Sequence, residues 1–256
     1  VSALNYAFTD VRTQTGRVLK HTARNPSTLI MTILLPLIVL LLFNYGFGGA
    51  LNTHGVKYID YVVPGIILMG AGYSASATAT AVNSDMSEGI IDRFRTMAVH
   101  RSSVLSGHVI GSTLRTFTGI ALVVVIALPI GFRPTSNPLR WLAAVGIILL
   151  MLYAVAWLSA AIGLGAPNAS GAASTASLLS MLPFLSGAFV PTSTMPGWLQ
   201  AFTSNQPMTH IEDTLRGLMM DTPVGDHAWI SLVWLAGIAL VGYLWSRSLF
   251  NKKTAA

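Results

Sequence analysis

Stretches free of Asp, Glu, Lys and Arg recur along the chain, separated by short polar breaks. A hydrocarbon core of about 30 Å takes roughly 20 apolar residues of α-helix. By that measure six segments are long enough to cross a bilayer: 28–47, 61–82, about 111–132, 141–164, about 172–189 and 228–245. Pro36 is a possible kink in the first, and Arg115 lies near one end of the third, where a long side chain reaches the interface. The fourth and fifth belong to one uncharged run, 141–211, that only "GAPNAS" divides; Gly, Pro and Asn make the break.

The polar and mixed stretches carry patterns of their own. In residues 1–24, Leu4, Phe8, Val11 and Val18 recur at roughly helical spacing while Arg12, Arg17, Lys20 and Arg24 gather toward the first apolar run. This predicts a helix lying on the inner membrane surface over 1–27, with a frayed basic tail as the other reading. Asn25-Pro26-Ser27 then suits a helix start. No short apolar run precedes residue 28, so no cleavable signal peptide is expected. Between the last two spans, "VPTSTMPGWLQAFTSNQPMTHIEDTLRGLMMDTP" holds prolines 191, 196, 207 and 223, yet its first half is largely apolar. Short re-entrant or interfacial helices are predicted there, with Trp198 as an interfacial anchor; a solvated loop is the alternative.

The most patterned break is "EGIIDRFRTMAVHR", residues 88–101. At about 100° per residue, Ile90, Ile91, Phe94, Met97 and Ala98 share one face, and Asp92, Arg93, Arg95 and Thr96 occupy the rest. Glu88 falls in the first turn, where negative charge suits the helix dipole. Such a helix lies flat on a leaflet or inserts its apolar face into a groove on a partner, and the pattern alone leaves both open.

Composition agrees with the spans. Of 256 residues 53% are hydrophobic and 9% charged, where a soluble domain has about a quarter charged; mean hydropathy is +0.63. The result is a predicted all-α membrane protein: one domain over 1–256, with a six-span bundle over 28–249 and a tail at 250–256. The formal charge of +6 is better explained by the topology rule for cytoplasmic loops than by nucleic-acid binding. With both termini inside, 11 of the 15 Lys and Arg lie on the inner side, and only Lys57, Arg133, Arg140 and Arg216 lie outside. The predicted orientation therefore puts 88–101 in the cytoplasm. No internal repeat, low-complexity segment or second soluble domain is evident.

Candidate chemistry narrows the function further. The chain has no cysteine and no G-x-x-x-x-G-K-[ST] loop to cradle nucleotide phosphates. None of its nine acids lies in a predicted span; His108 lies just outside the third, and His54, His210 and His227 fall in outer loops. A proton relay thus has no obvious members. No catalytic set and no metal site is expected. Asn168-Ala169-Ser170 matches a glycosylation acceptor but falls on the predicted inner side. Energy for any transport would then arrive through a surface, and 88–101 is the best candidate. Gly70, Gly72, Ser74, Ser76, Thr78 and Thr80 in the second span, and Ser174, Ser177, Ser180, Pro183 and Ser186 in the fifth, permit close helix packing. They also offer a mildly polar lining for an amphipathic molecule, with Tyr73 and Phe184 as aromatic contacts.

The run "EGIIDRFRTMAVHRSSVLSGH" resembles the cytoplasmic coupling segment of ABC-2 type transport permeases of the daunorubicin-resistance kind. Glu88, Gly89, Asp92, Arg93, Phe94, Arg95 and Arg101 match; Ala98 stands where the family often has proline. The outer segment is similar through Pro191, Met195, Pro196, Gly197, Trp198, Pro207, Thr209 and Arg216. The resemblance implies two permease subunits, identical or not, with two ATP-binding subunits in a bacterial plasma membrane. ATP and Mg would be bound by the partner and no cofactor by this chain. The cargo implied is a lipophilic drug, antibiotic or lipid that is exported. By the family's pattern the first and fifth spans meet at the permease dimer interface. An ion-coupled drug antiporter and a non-transporting membrane anchor or immunity protein are the other readings.

Overall fold

The computed structural model describes residues 26–49, 56–87 and 101–255; the predicted surface helix over 1–24 and most of the 88–101 segment lie outside them. The described residues form eight α-helices and no strand. They are α1 (Pro26–Leu41), α2 (Tyr58–Ser87), α3 (Arg101–Ile130), α4 (Pro138–Gly165), α5 (Ala169–Ser177), α6 (Gly197–Asn205), α7 (Pro207–Met219) and α8 (His227–Ala255). A π-helical turn, Leu42–Phe47, continues α1, and a 3-10 run, Leu178–Leu185, continues α5.

Local sequence explains where these elements begin and change. Asn137 caps α4 by accepting from the Leu139 amide at 3.0 Å, and Pro138 fills the first turn, where a missing N–H costs nothing. Asn168 caps α5 by accepting from the Gly171 amide at 2.7 Å. Pro207 opens α7 in the same way as Pro138 opens α4. The fifth apolar segment is not one α-helix to residue 189. Pro183 has no amide to give, Ser180 Oγ bonds Ser177 O at 2.6 Å, and the chain tightens into 3-10 geometry before turning at 186–190.

Four helices are long and apolar enough to cross a membrane: Tyr58–Ser87, Leu105–Ile130, Pro138–Gly165 and His227–Lys252. Ile33–Phe47 and Ala169–Leu185 are shorter apolar helices. The chain is accordingly a multi-pass membrane protein. Observed helices overrun the predicted spans, most clearly α3, which begins ten residues before 111. Polar residues end an apolar window without ending a helix, and Leu105 and Val109 keep that first part of α3 packed.

The six apolar segments alternate in direction. Phe43 of α1 meets Phe189 beyond the 3-10 run at 4.6 Å between ring centroids, and the Tyr58 hydroxyl at the start of α2 donates to Phe189 O at 2.9 Å. These three chain ends therefore share one end of the bundle. At the other end, Asn83 of α2 bonds Gly163 O of α4, and Phe250 of α8 packs with Val82 and Leu164. α2 is central, with 78% of its apolar window buried, and α8 peripheral, with 17%. Close approach to α2 is built in: a Cβ at Gly72 would sit 2.5 Å from Ser180 Cα, and one at Gly163 would run into Ala79 O. Trp229, Val233, Leu240, Val241 and Leu244 of α8 face outward, as hydrocarbon contact requires.

Candidate functional site

The proposed coupling residues Glu88, Gly89, Ile90, Ile91, Asp92, Arg93, Phe94, Arg95 and Met97 lie outside the described residues, and Arg101 is the first residue of α3. The frame that holds them is described. α2 ends at Ser87 and α3 begins at Arg101 at the same end of the bundle, where His108 Nε2 lies 2.8 Å from Asp85 Oδ2. Behind this pair, Val82, Leu105, Val109, Trp157 and Phe250 form an apolar cluster. Asn83 donates to Gly163 O and Ala166 O, both at 3.0 Å, and so satisfies carbonyls at the end of α4.

The residues singled out for a substrate path do not form one lining. Thr78 is buried and hydrogen-bonded to Ser112 of α3. Ser180 is buried against Gly72 on the fifth segment. Ser74 Oγ bonds Ala71 O of its own helix, and Tyr73 packs against the core. Phe184 is partly exposed and stacks on Phe189 at 4.7 Å, which links the fifth segment to α1 through Phe43. A small apolar cleft lies between α1, α2 and α3, lined by Pro36, Ile66, Ile67, Gly70, Ile120 and Val123.

At the opposite end the segment after the fifth apolar run folds as a 3-10 turn, Thr192–Thr194, that follows Pro191, and then as α6 and α7. Trp198 on α6 is 77% exposed. Arg216, in the last turn of α7, is the hub of a buried cluster. It pairs with Glu212 one turn earlier and with Asp213 at 2.7 Å, and its guanidinium lies over the Tyr61 ring at 3.9 Å to the centroid. Tyr61 OH donates to Gly187 O at 2.6 Å, Ser186 Oγ lies 3.2 Å from Glu212 Oε2, and Gln206 Nε2 donates to Leu185 O. The non-helical backbone at 186–190 is thereby held by side chains of α2 and α7.

Glu212 is 0% exposed. Burial pushes its carboxyl up to about 7, against the Arg216 guanidinium, which pulls it down. His210 and His227 are not loop residues: His210 lies in α7, His227 opens α8, and their Nδ1 atoms are 3.0 Å apart. Burial first, then the neighbouring His227, lowers the His210 pKa, and Asp213 opposes them. Sequence reasoning missed Glu212, Tyr61 and Asp85; it named Ser186 and His108 but not their partners Glu212 and Asp85. The i, i+4 spacing of Glu212 and Arg216 after a helix-opening Pro207 was the one available signal. Among the described residues no group of three His, Asp or Glu is placed to hold a metal ion.

Comparison with known proteins converges on one family. The ABC-2 type transporter family matches residues 9–220. The daunorubicin resistance ABC transporter permease protein DrrB1 of Streptomyces coeruleorubidus is 32% identical over 231 residues, covering 90% of this chain and 82% of that protein. The probable doxorubicin resistance ABC transporter permease protein DrrC of Mycobacterium tuberculosis is 27% identical, over 89% of this chain and 83% of its own length. Nodulation protein J of Bradyrhizobium diazoefficiens is 24% identical over 83% and 82% of the two chains. The chain therefore belongs to the ABC-2 type transporter family, as a membrane permease and not an enzyme.

Proposed function

We propose that this chain is the permease subunit of an ATP-driven exporter that moves a hydrophobic or amphipathic compound, a drug, antibiotic or lipid, out across a bacterial plasma membrane. A separate ATPase, two copies per complex, binds ATP and Mg, seats on the 88–101 segment and drives a permease dimer between inward- and outward-open states. Both termini are cytoplasmic and the chain spans the bilayer six times.

The observation that carries this reading is the family match together with the alternating direction of the six apolar segments. The fifth segment supports a sixth crossing despite its short count. Nine α-helical residues at about 1.5 Å and eight 3-10 residues at about 2.0 Å extend roughly 30 Å, the thickness of a hydrocarbon core. The drug-resistance names of the two most similar relatives described above support the cargo class. A Phe94→Asp variant tests the coupling: ATPase co-purification and export from membrane vesicles are expected to fall together, and their survival would remove the mechanism.

One observation favours a second reading, an ion-coupled antiporter. Glu212 is a buried carboxyl whose pKa lies near neutrality. Proteoliposomes holding the permease alone decide it: transport driven by a proton gradient without ATPase would establish the antiporter, and transport only with ATPase and ATP would dismiss it.

A further inference from the structure

In the chain, residues 88–100 join Ser87, the last described residue of α2, to Arg101, the first of α3, so a force on that stretch is delivered to both helices. Asp85 lies two residues before Ser87 and His108 seven after Arg101. Their side chains are 20% and 11% exposed, and Nε2 and Oδ2 approach to 2.8 Å. An imidazole with its proton on Nε2 donates to the carboxylate, and a protonated one makes the bond an ion pair.

This contact is the first rung of a ladder. Seven residues before Asp85 on the same face of α2, Thr78 Oγ1 bonds Ser112 Oγ, four residues after His108 on α3. Arg115 Nη2 lies 3.5 Å from the same Ser112 Oγ. Val82 and Val109 fall between the rungs along their helices, and Leu105 belongs to the same buried cluster. Two apolar helix faces slide past one another at little cost, whereas polar rungs away from water must break before the helices change register.

We propose that Asp85 and His108 are a positioning pair that ties α2 to α3 so that the ATPase stroke moves the two helices as one body. Without the tie, a push on 88–100 splays the helix ends and is absorbed where it lands. The inference rests on the reading of 88–101 as the ATPase seat.

The test uses the complete permease–ATPase complex in proteoliposomes, with transport and ATP hydrolysis measured on the same preparation. His108→Ala is expected to keep ATPase co-purification and hydrolysis while transport per ATP falls about tenfold. His108→Arg, which again offers Asp85 an N–H donor at this position, is expected to recover most of it. Asp85→Asn, which keeps size and one acceptor, serves if His108→Ala fails to fold. Because the chain has no cysteine, spin labels at Ser87→Cys and Ser103→Cys report the helix ends directly. Their separation should stay constant between nucleotide-free and ATP-trapped complexes, and widen on trapping only in the His108→Ala and Asp85→Asn backgrounds. An unchanged ratio of transport to hydrolysis in His108→Ala and Asp85→Asn, or no rescue by His108→Arg, overturns the pair's role while leaving the ATPase seat intact. Continued ATPase binding by Phe94→Asp instead overturns the seat, and the pair's role with it.

Discussion

The two ends of the bundle are stitched in different ways. At the end that holds residues 131–137, 186–196 and 220–226, backbone leaves helical geometry and side chains take over its hydrogen bonds. Asp60 accepts from the Arg133 amide at 2.9 Å, Trp141 Nε1 donates to Thr135 O at 2.8 Å, and Arg140 donates to Gly217 O and Thr222 O. The Glu212–Arg216–Tyr61 cluster fastens α7 to α2 in the same layer. At the opposite end, among the described residues, Asn83 bonds the end of α4 and Asp85 meets His108. Irregular backbone in a membrane protein has to be satisfied by protein, so the first end is fixed by its own loops. The second, among the described residues, is joined helix to helix by side chains near the helix ends.

The largest expected effect comes from cutting the dense end at its hub. Arg216→Met leaves Glu212 and Asp213 without their cation and should cost about 3–5 kcal/mol in unfolding experiments in detergent. Replacing Glu212 with Met as well should recover much of that loss; a double variant no better than the single would refute the ion-pair account. At the opposite end, Asn83→Ala strips a donor from the carbonyls of Gly163 and Ala166, at and just past the end of α4, and should cost about 1–3 kcal/mol. An unchanged thermal midpoint would show that these carbonyls need no partner.

Acidity separates the ends more gently. A carboxyl raised in the folded state favours folding while protonated. The Glu212 contribution is therefore fully present below about pH 4.5 and lost as pH rises through about 7. The midpoint difference between the native chain and Glu212→Gln should follow that window; a difference flat from pH 4 to 8 would contradict the burial effect. The smallest change belongs to the Arg140–Asp221 contact at the rim. Its Nε–Oδ1 distance is 2.6 Å, but the aspartate is half exposed, and Asp221→Asn should shift stability by less than about 1 kcal/mol.

Much of the bundle was legible in the chain because a bilayer forces apolar helices to announce themselves. Helix ends were less so: His108 stops an apolar window, yet α3 starts at Arg101 and runs through it. The 3-10 run was hidden because Pro183 and the serines around it look equally at home in a kinked α-helix. Glu212 went unmarked because its burial depends on a cluster that includes Tyr61, far away in sequence, and no local pattern reports that. The close packing of small residues was legible at Gly72 and Ser180, which touch. Thr78 was marked for its hydroxyl, but its partner on α3 required coordinates.

The central position of α2 has a consequence for biogenesis. It is the least apolar of the four long helices and the most enclosed. Hydropathy measures affinity for lipid, whereas α2 is wrapped by protein, so its glycines, serines and threonines are matched to neighbours it meets only after synthesis. A nascent chain thus offers the insertion machinery its weakest signal in the helix on which the others assemble, and retention of α2 in the bilayer depends on prompt pairing with adjacent segments.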